Sequence, residues 1–137
     1  MKNEFEQISL KPGFMMHNGG LLFKTINDHE YQFKTIIKEN HLNAAGITHG
    51  GFISAFVDAG AGTAAHRSTN NNPCVTVSLE LKFISAVRLG QELIGNTKIQ
   101  KKTKSMVFLT CELTASNKIV ATASGVWKIL KLSGAGP

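Results

Sequence analysis

From Gly51 to Ala65 the chain carries one formal charge, Asp58, in a run otherwise made of Gly, Ala, Phe, Ile, Val, Ser and Thr. No proline interrupts it, and the spacing predicts a helix over 51–66. At about 100° per residue, Phe52, Ile53, Phe56, Val57, Ala59, Gly60, Thr63 and Ala64 fall on one broad arc. Ser54, Asp58, Ala61, Gly62 and Ala65 fall on the other. The bulky arc can pack on a sheet. The opposite arc lacks the charged side chains of an ordinary surface helix, and its small residues let another chain come close. Asp58 looks buried there, and an isolated acid in such a setting is costly unless it is paired or used.

The rest of the chain must cover this helix, and it reads as strands. Leu21 to Ile26 and Tyr31 to Ile37 flank the turn Asn27-Asp28-His29. Val75, Val77, Leu79, Leu81 and Phe83 alternate with Thr76, Ser78, Glu80 and Lys82, which predicts a strand with Thr76 on its polar face. Gly90 to Gln100, Ser105 to Ala115 and Ile119 to Leu130 follow, joined by Lys101–Lys104 and Ser116-Asn117-Lys118. Those connections are short enough for antiparallel hairpins. Phe5 to Leu10 is expected as a short helix before Pro12-Gly13. The fold class is therefore α+β: one long helix on one face of an antiparallel sheet of five to six strands.

Length and charge narrow the function. At 137 residues the chain fits one domain, expected over 1–132 with a flexible tail at 133–137. A net charge of +6 favours anionic partners. One Trp, one Tyr and no basic cluster beyond Lys101-Lys102-Thr103-Lys104 argue against nucleic acid. No apolar run reaches the roughly 18 residues that span a membrane. The first ten residues lack a signal-peptide core. Cys74 and Cys111 have no C-x-x-C spacing and are expected as reduced thiols. A cytoplasmic protein without membrane partners is the expectation.

The segment before the helix carries the chemistry. It reads His41-x-Asn43-x-x-Gly46-x-x-His49-Gly50-Gly51. Two glycines at a helix start leave bare backbone N–H groups that can meet a negative oxygen. His41, His49 and His66 lack the spacing of metal ligands, so no metal is expected. The absence of a G-x-S-x-G motif argues against a serine hydrolase.

With Asp58 seven residues beyond Gly51, and with Phe83-Ile84-Ser85-Ala86-Val87-Arg88-Leu89-Gly90 after the main strand, this pattern resembles the hotdog-fold acyl-CoA thioesterases, in particular the phenylacetate-pathway group. The resemblance runs from about Leu21 to Leu130. One departure is Ala86, where relatives often carry proline. The resemblance implies a hotdog fold and hydrolysis of an acyl-CoA or aryl-CoA thioester, with coenzyme A as part of the substrate and no separate cofactor. It implies Asp58 as nucleophile or general base and Gly50 N–H as the oxyanion donor. It also implies Asn43 and Thr76 as groups that orient the thioester or the attacking water. His49 either touches the substrate carbonyl region or fixes the loop backbone. Arg88, Lys101, Lys102 and Lys104 are candidates for the coenzyme A phosphates.

Spacing adds a constraint of its own. Gly50 and Asp58 are eight residues apart, about 12 Å along a helix, whereas both must reach one small reacting group. Two antiparallel helices from two subunits can meet that demand, which predicts a homo-oligomer, a dimer or a dimer of dimers. Two other functions fit the same pattern: an acyl-thioester dehydratase of the same fold, which needs a His–acid pair, and a non-catalytic acyl-CoA-binding module.

Overall fold

A computed structural model describes residues 4–131; the tail expected at 133–137 lies outside them. In chain order the elements are β1 (Glu6–Gln7), α1 (Phe14–His17), β2 (Leu22–Thr25), β3 (Glu30–Ile36), a 3₁₀ turn (Glu39–His41), α2 (Gly50–Ser68), β4 (Cys74–Phe83), β5 (Glu92–Lys102), β6 (Met106–Ala115) and β7 (Lys118–Ile129). All strand pairs are antiparallel, in the order β1-β2-β3-β5-β6-β7-β4. The α+β arrangement is as expected, but the sheet has seven strands rather than five or six. The difference lies at the N-terminus. Glu6 and Gln7, expected within a short helix, pair instead with Phe23 and Leu22. The exposed backbone edge of β2 offers that segment a ladder, which an isolated short helix would lack.

α2 runs from the middle of the sheet, after β3, to the far edge strand β4, and touches β3 through β7 on the way. Its buried stripe is Phe52, Ile53, Phe56, Val57, Gly60, Ala61, Ala64, Ala65 and Ser68. Ala61 and Ala65, expected on the open arc, are fully buried, while Ala59 and Thr63 are only part-buried. The buried stripe steps in neighbouring pairs four residues apart, and that carries Ala61 and Ala65 into the core. Ser54, Asp58, Ala59 and Gly62 are left on the open side.

Two aromatic wedges set how closely the helix lies. Phe33 on β3 fills the space that a Cβ on Gly60 of α2 would occupy, and a Cβ on Gly95 of β5 would lie 2.5 Å from the same ring. Trp127 on β7 is held likewise: a Cβ on Gly125 would come within 2.5 Å of the indole, and one on Gly62 within 3.2 Å of its nitrogen. Glycines on both sides thus let large rings enter a thin core. Gly60→Ala is expected to destabilise the fold by about 1–3 kcal/mol through overpacking. Its melting temperature should fall by roughly 4–12 °C, measurable by calorimetry. A variant as stable as the parent would show that Phe33 can move aside.

β4 contains an irregularity that the alternating pattern hides. Thr76 pairs with Trp127 and Ser78 with Val126, so Val77 is an extra residue. Such a bulge reverses the inward phase of a strand. Leu79, Leu81 and Phe83 oppose the inward-facing Gly125, Ala123 and Ala121, and on the other side of the bulge it is Thr76 and Cys74 that face in. Thr76 is therefore on the helix side, not on the outer polar face expected for it. The far end of α2 is finished by Lys102, whose Nζ donates to the Ser68 carbonyl at 2.6 Å, a favourable place for a cation. Among the described residues, no helix is long and apolar enough to cross a membrane.

Candidate active site

The loop before α2 is built by its own side chains. His41 is 1% exposed, stacks on Phe52 at 3.9 Å and accepts at Nδ1 from Lys38 N–H. Its Nε2 lies 2.7 Å from the Asn18 carbonyl. A carbonyl only accepts, so this histidine is neutral with its proton on Nε2, a structural tie between two loops. Asn43 Oδ1 accepts from Ala45 N–H at 2.9 Å and Ile47 N–H at 3.3 Å, an Asx turn. Gly46 closes that turn at φ +80, a conformation that suits glycine. The side-chain oxygen of Asn43 is thus committed to the loop, and its NH₂ is the part left to meet a substrate.

His49 is the N-cap of α2. Its Nδ1 accepts from Gly51 N–H at 2.7 Å, which places the neutral ring's proton on Nε2. The cap explains Gly51, since a Cβ there would stand 2.9 Å from His49 Nδ1. Helix starts leave four N–H groups to be satisfied. Gly51 is bonded to the His49 ring, and Phe52 and Ile53 to the His49 carbonyl. Gly50 N–H alone has no acceptor among the described residues. It sits at the positive end of a nineteen-residue helix and is a ready donor to an anionic oxygen. Exposed Phe83 lies beside it.

Asp58 lies two turns further along the same helix. It is exposed, not buried as its neighbours suggested, because the helix face it occupies is open. Thr76 Oγ1 donates to Asp58 Oδ1 at 2.6 Å, and the bulge at Val77 is what makes this contact possible. The bond fixes the carboxylate and leaves Oδ2 unoccupied. Both residues open onto a cleft of about 500 Å³ between α2 and β4, which also has Gly62, His66, Cys74 and Trp127 in its walls. Burial pushes the Cys74 thiol above its usual range, only partly offset by a hydrogen bond with Thr69. It is therefore protonated near neutral pH and a poor nucleophile.

The structure thus brings Asp58 and Thr76 together, and groups Asn43, His49 and Gly50 at the helix start. It keeps the two groups apart, with Asp58 eight positions beyond Gly50 on the same helix. The four candidate cations are also divided, with Lys101 exposed near the end of β5 opposite Phe108. Arg88 is in the loop whose Val87 carbonyl accepts from Thr48, near the helix start. Lys102 is occupied at the opposite end by Ser68. Lys104 lines a second cavity there with Ser105, Lys128 and Lys131. Among the described residues no cluster of His, Cys, Asp and Glu could hold a metal. Trp127 and Gly62 were not legible as site residues. An apolar residue in a strand reads as core, and only the bareness of Gly62 on the open helix face hinted at a cleft.

Comparison with known proteins agrees with this architecture. The thioesterase superfamily pattern matches residues 45–122. A Pseudomonas aeruginosa protein named as a candidate esterase is 37% identical over 94 residues, which are 68% of this chain and 70% of that one. Human acyl-coenzyme A thioesterase 13 is 29% identical over 87 residues, 62% of each chain. The zebrafish thioesterase superfamily member 2 structure superposes with a TM-score of 0.80 at 21% identity, over 89% of this chain and 90% of that one. The phenylacetic acid degradation protein PaaI of Thermus thermophilus does so with a TM-score of 0.76, also at 21% identity, over 84% and 97%. With the family pattern spanning the helix start, Asp58 and Thr76, the chain belongs to the thioesterase superfamily and is a thioester-hydrolysing enzyme of hotdog fold.

Proposed function

We propose that the protein hydrolyses an acyl-CoA or aryl-CoA thioester to free acid and coenzyme A at the interface of a homodimer. Each site takes Asn43 and Gly50 from one subunit and Asp58 and Thr76 from the other. The observation that carries this is the separation of a bare donor, Gly50 N–H, from a held carboxylate, Asp58, on one continuous helix. About 12 Å of helix lies between them, and each lacks what the other supplies. The surface fits a partner. The open face of α2 is small around Asp58, and β4 is an edge strand with Val75 45% and Val77 56% exposed. A long unpaired apolar edge of that kind needs covering.

In the assembled site the thioester oxygen accepts from Gly50 N–H, and the Asn43 NH₂ steadies the thioester or a water. Asp58 Oδ2 acts on the carbonyl carbon either directly or by taking a proton from the attacking water. In the second case the water oxygen bonds to carbon and the carbonyl electrons move onto the oxygen at Gly50. They then return as the C–S bond breaks and the thiolate gains a proton. The positive helix start stabilises the intermediate more than the neutral ground state, which is what accelerates the step. Human acyl-coenzyme A thioesterase 13 supports coenzyme A as the thiol, and the +6 charge suits its phosphates. A dehydratase would need a histidine paired with Asp58. Among the described residues Asp58 is hydrogen-bonded to Thr76 and to no histidine of its own chain, which favours hydrolysis.

A panel of acyl- and aryl-CoA thioesters tests the proposal, with thiol release read by a chromogenic disulfide and free acid by mass spectrometry. Equal amounts of both products are expected. Formation of a 2-enoyl thioester without thiol, or tight binding without either product, would refute it.

A further inference from the structure

The start of α2, where Gly50 presents its unpaired N–H, is gripped by one buried ring. His41 is 1% exposed. Its ring lies nearly parallel to that of Phe52, in the first turn of α2, with centroids 3.9 Å apart and 14° between the planes. Both ring nitrogens are anchored to backbone outside the helix. Nδ1 accepts from Lys38 N–H at 3.0 Å, and Nε2 donates to the Asn18 carbonyl at 2.7 Å. The His41 carbonyl in turn accepts from His49 N–H at 2.8 Å. His41 therefore holds α2 at two points, one residue before Gly50 and two residues after it. The intervening loop has fastenings of its own. Asn43 Oδ1 accepts from Ala45 and Ile47 N–H, Asn43 N–H donates to the Ile47 carbonyl, and Thr48 Oγ1 donates to the Val87 carbonyl.

An apolar side chain in this place would fill the space against Phe52 without fixing a direction. A buried polar group with every bond made specifies one arrangement. We infer that His41 is a positioning residue for the oxyanion donor: its ring sets where Gly50 N–H points, without touching the substrate. The inference rests on the thioesterase reading of the same site. A donor acts on the developing oxyanion only from the right place, and a misplacement of about 1 Å can cost a hundredfold in rate. Because the Asn43 loop is fastened without the ring, the effect of His41 runs through Gly50 rather than through Asn43.

A double-mutant cycle tests this. His41→Gln can still donate to the Asn18 carbonyl but loses the stacked ring and the acceptor for Lys38 N–H. In the parent background it should lower kcat about ten- to a hundredfold and change KM less than about twofold, because the oxyanion forms only in the transition state. In Gly50→Pro, which has no N–H to position, the same change should lower kcat less than about twofold. Phe52→Leu removes the stacked ring from the other side. It should show the same dependence on Gly50, and it carries the cycle if His41→Gln folds poorly. An equal loss in both backgrounds would mark His41 as a structural residue only and overturn the inference. So would a parental kcat in His41→Gln, or a loss confined to KM. Amide resonances of the isotope-labelled protein read the placement without turnover. His41→Gln should shift Gly50 and Gly51 and leave Asn43 to Ile47 in place; the reverse pattern would overturn the inference. If the parent releases no thiol from any thioester, the thioesterase reading fails alone, and the amide shifts still decide whether His41 places the Gly50 N–H.

Discussion

Asp58→Asn should release thiol from the best substrate about 10²–10⁴-fold more slowly than the parent, the range that a positioned proton-transfer group contributes. Asparagine has the same shape, and its Oδ1 can still accept from Thr76, whose hydrogen bond to Asp58 is 2.6 Å. What it loses is the capacity to take a proton or to attack a carbonyl. Because Asp58 is exposed in the protomer, the melting temperature and the elution volume should be those of the parent, with stability changed by no more than about 0.5 kcal/mol. Thr76→Val asks a narrower question. It keeps the β-branch that suits a strand and removes only the hydroxyl, so the carboxylate stays but is free to turn. A loss of about tenfold, smaller than that of Asp58→Asn, is expected if orientation is the role of Thr76. Near-parental kcat in Asp58→Asn would remove the carboxylate from the chemistry.

The contact between Thr76 and Asp58 also marks where sequence patterns lose their power. The helix, its start and four of the later strands are legible because each depends on local spacing: apolar residues at helical intervals, or alternation at a period of two. The glycines at 50 and 51 are legible as a helix start for the same reason. A β-bulge has no such local signature. Val75, Val77 and Leu79 alternate without a break, yet the pairing with β7 skips Val77 and turns Thr76 towards the helix. The pairing of β1 with β2 and the burial of Ala61 and Ala65 escape notice likewise, because each is decided by a partner far along the chain. Asp58 illustrates the converse error. Small apolar neighbours suggest burial, but small residues equally line a face left open.

Gly50→Pro should fold, assemble and lose about 10²–10³ in kcat, the effect of deleting one oxyanion donor. Proline suits the first position of a helix, where the N–H it lacks has no helical partner. Here that N–H is also unpaired in the fold. The residue before a proline must be extended, and His49 already is, at φ −64 and ψ 132. A Cβ at position 50 would meet the Phe83 ring at 3.5 Å, an ordinary contact. Gly50→Ala adds that Cβ but keeps the N–H, so the gap between the two variants isolates the donor. Asp58→Asn and Gly50→Pro also form a test of where the site is. Each homodimer is deficient at both of its sites, one lacking the carboxylate and the other the donor. A heterodimer has one site deficient in both and one complete, with Gly50 from the Asp58→Asn subunit and Asp58 from the Gly50→Pro subunit. Co-expression with random pairing makes half the dimers mixed, so activity should return to about a quarter of the parental level. A site contained in a single chain would show no such recovery, since every chain in the mixture carries a defect.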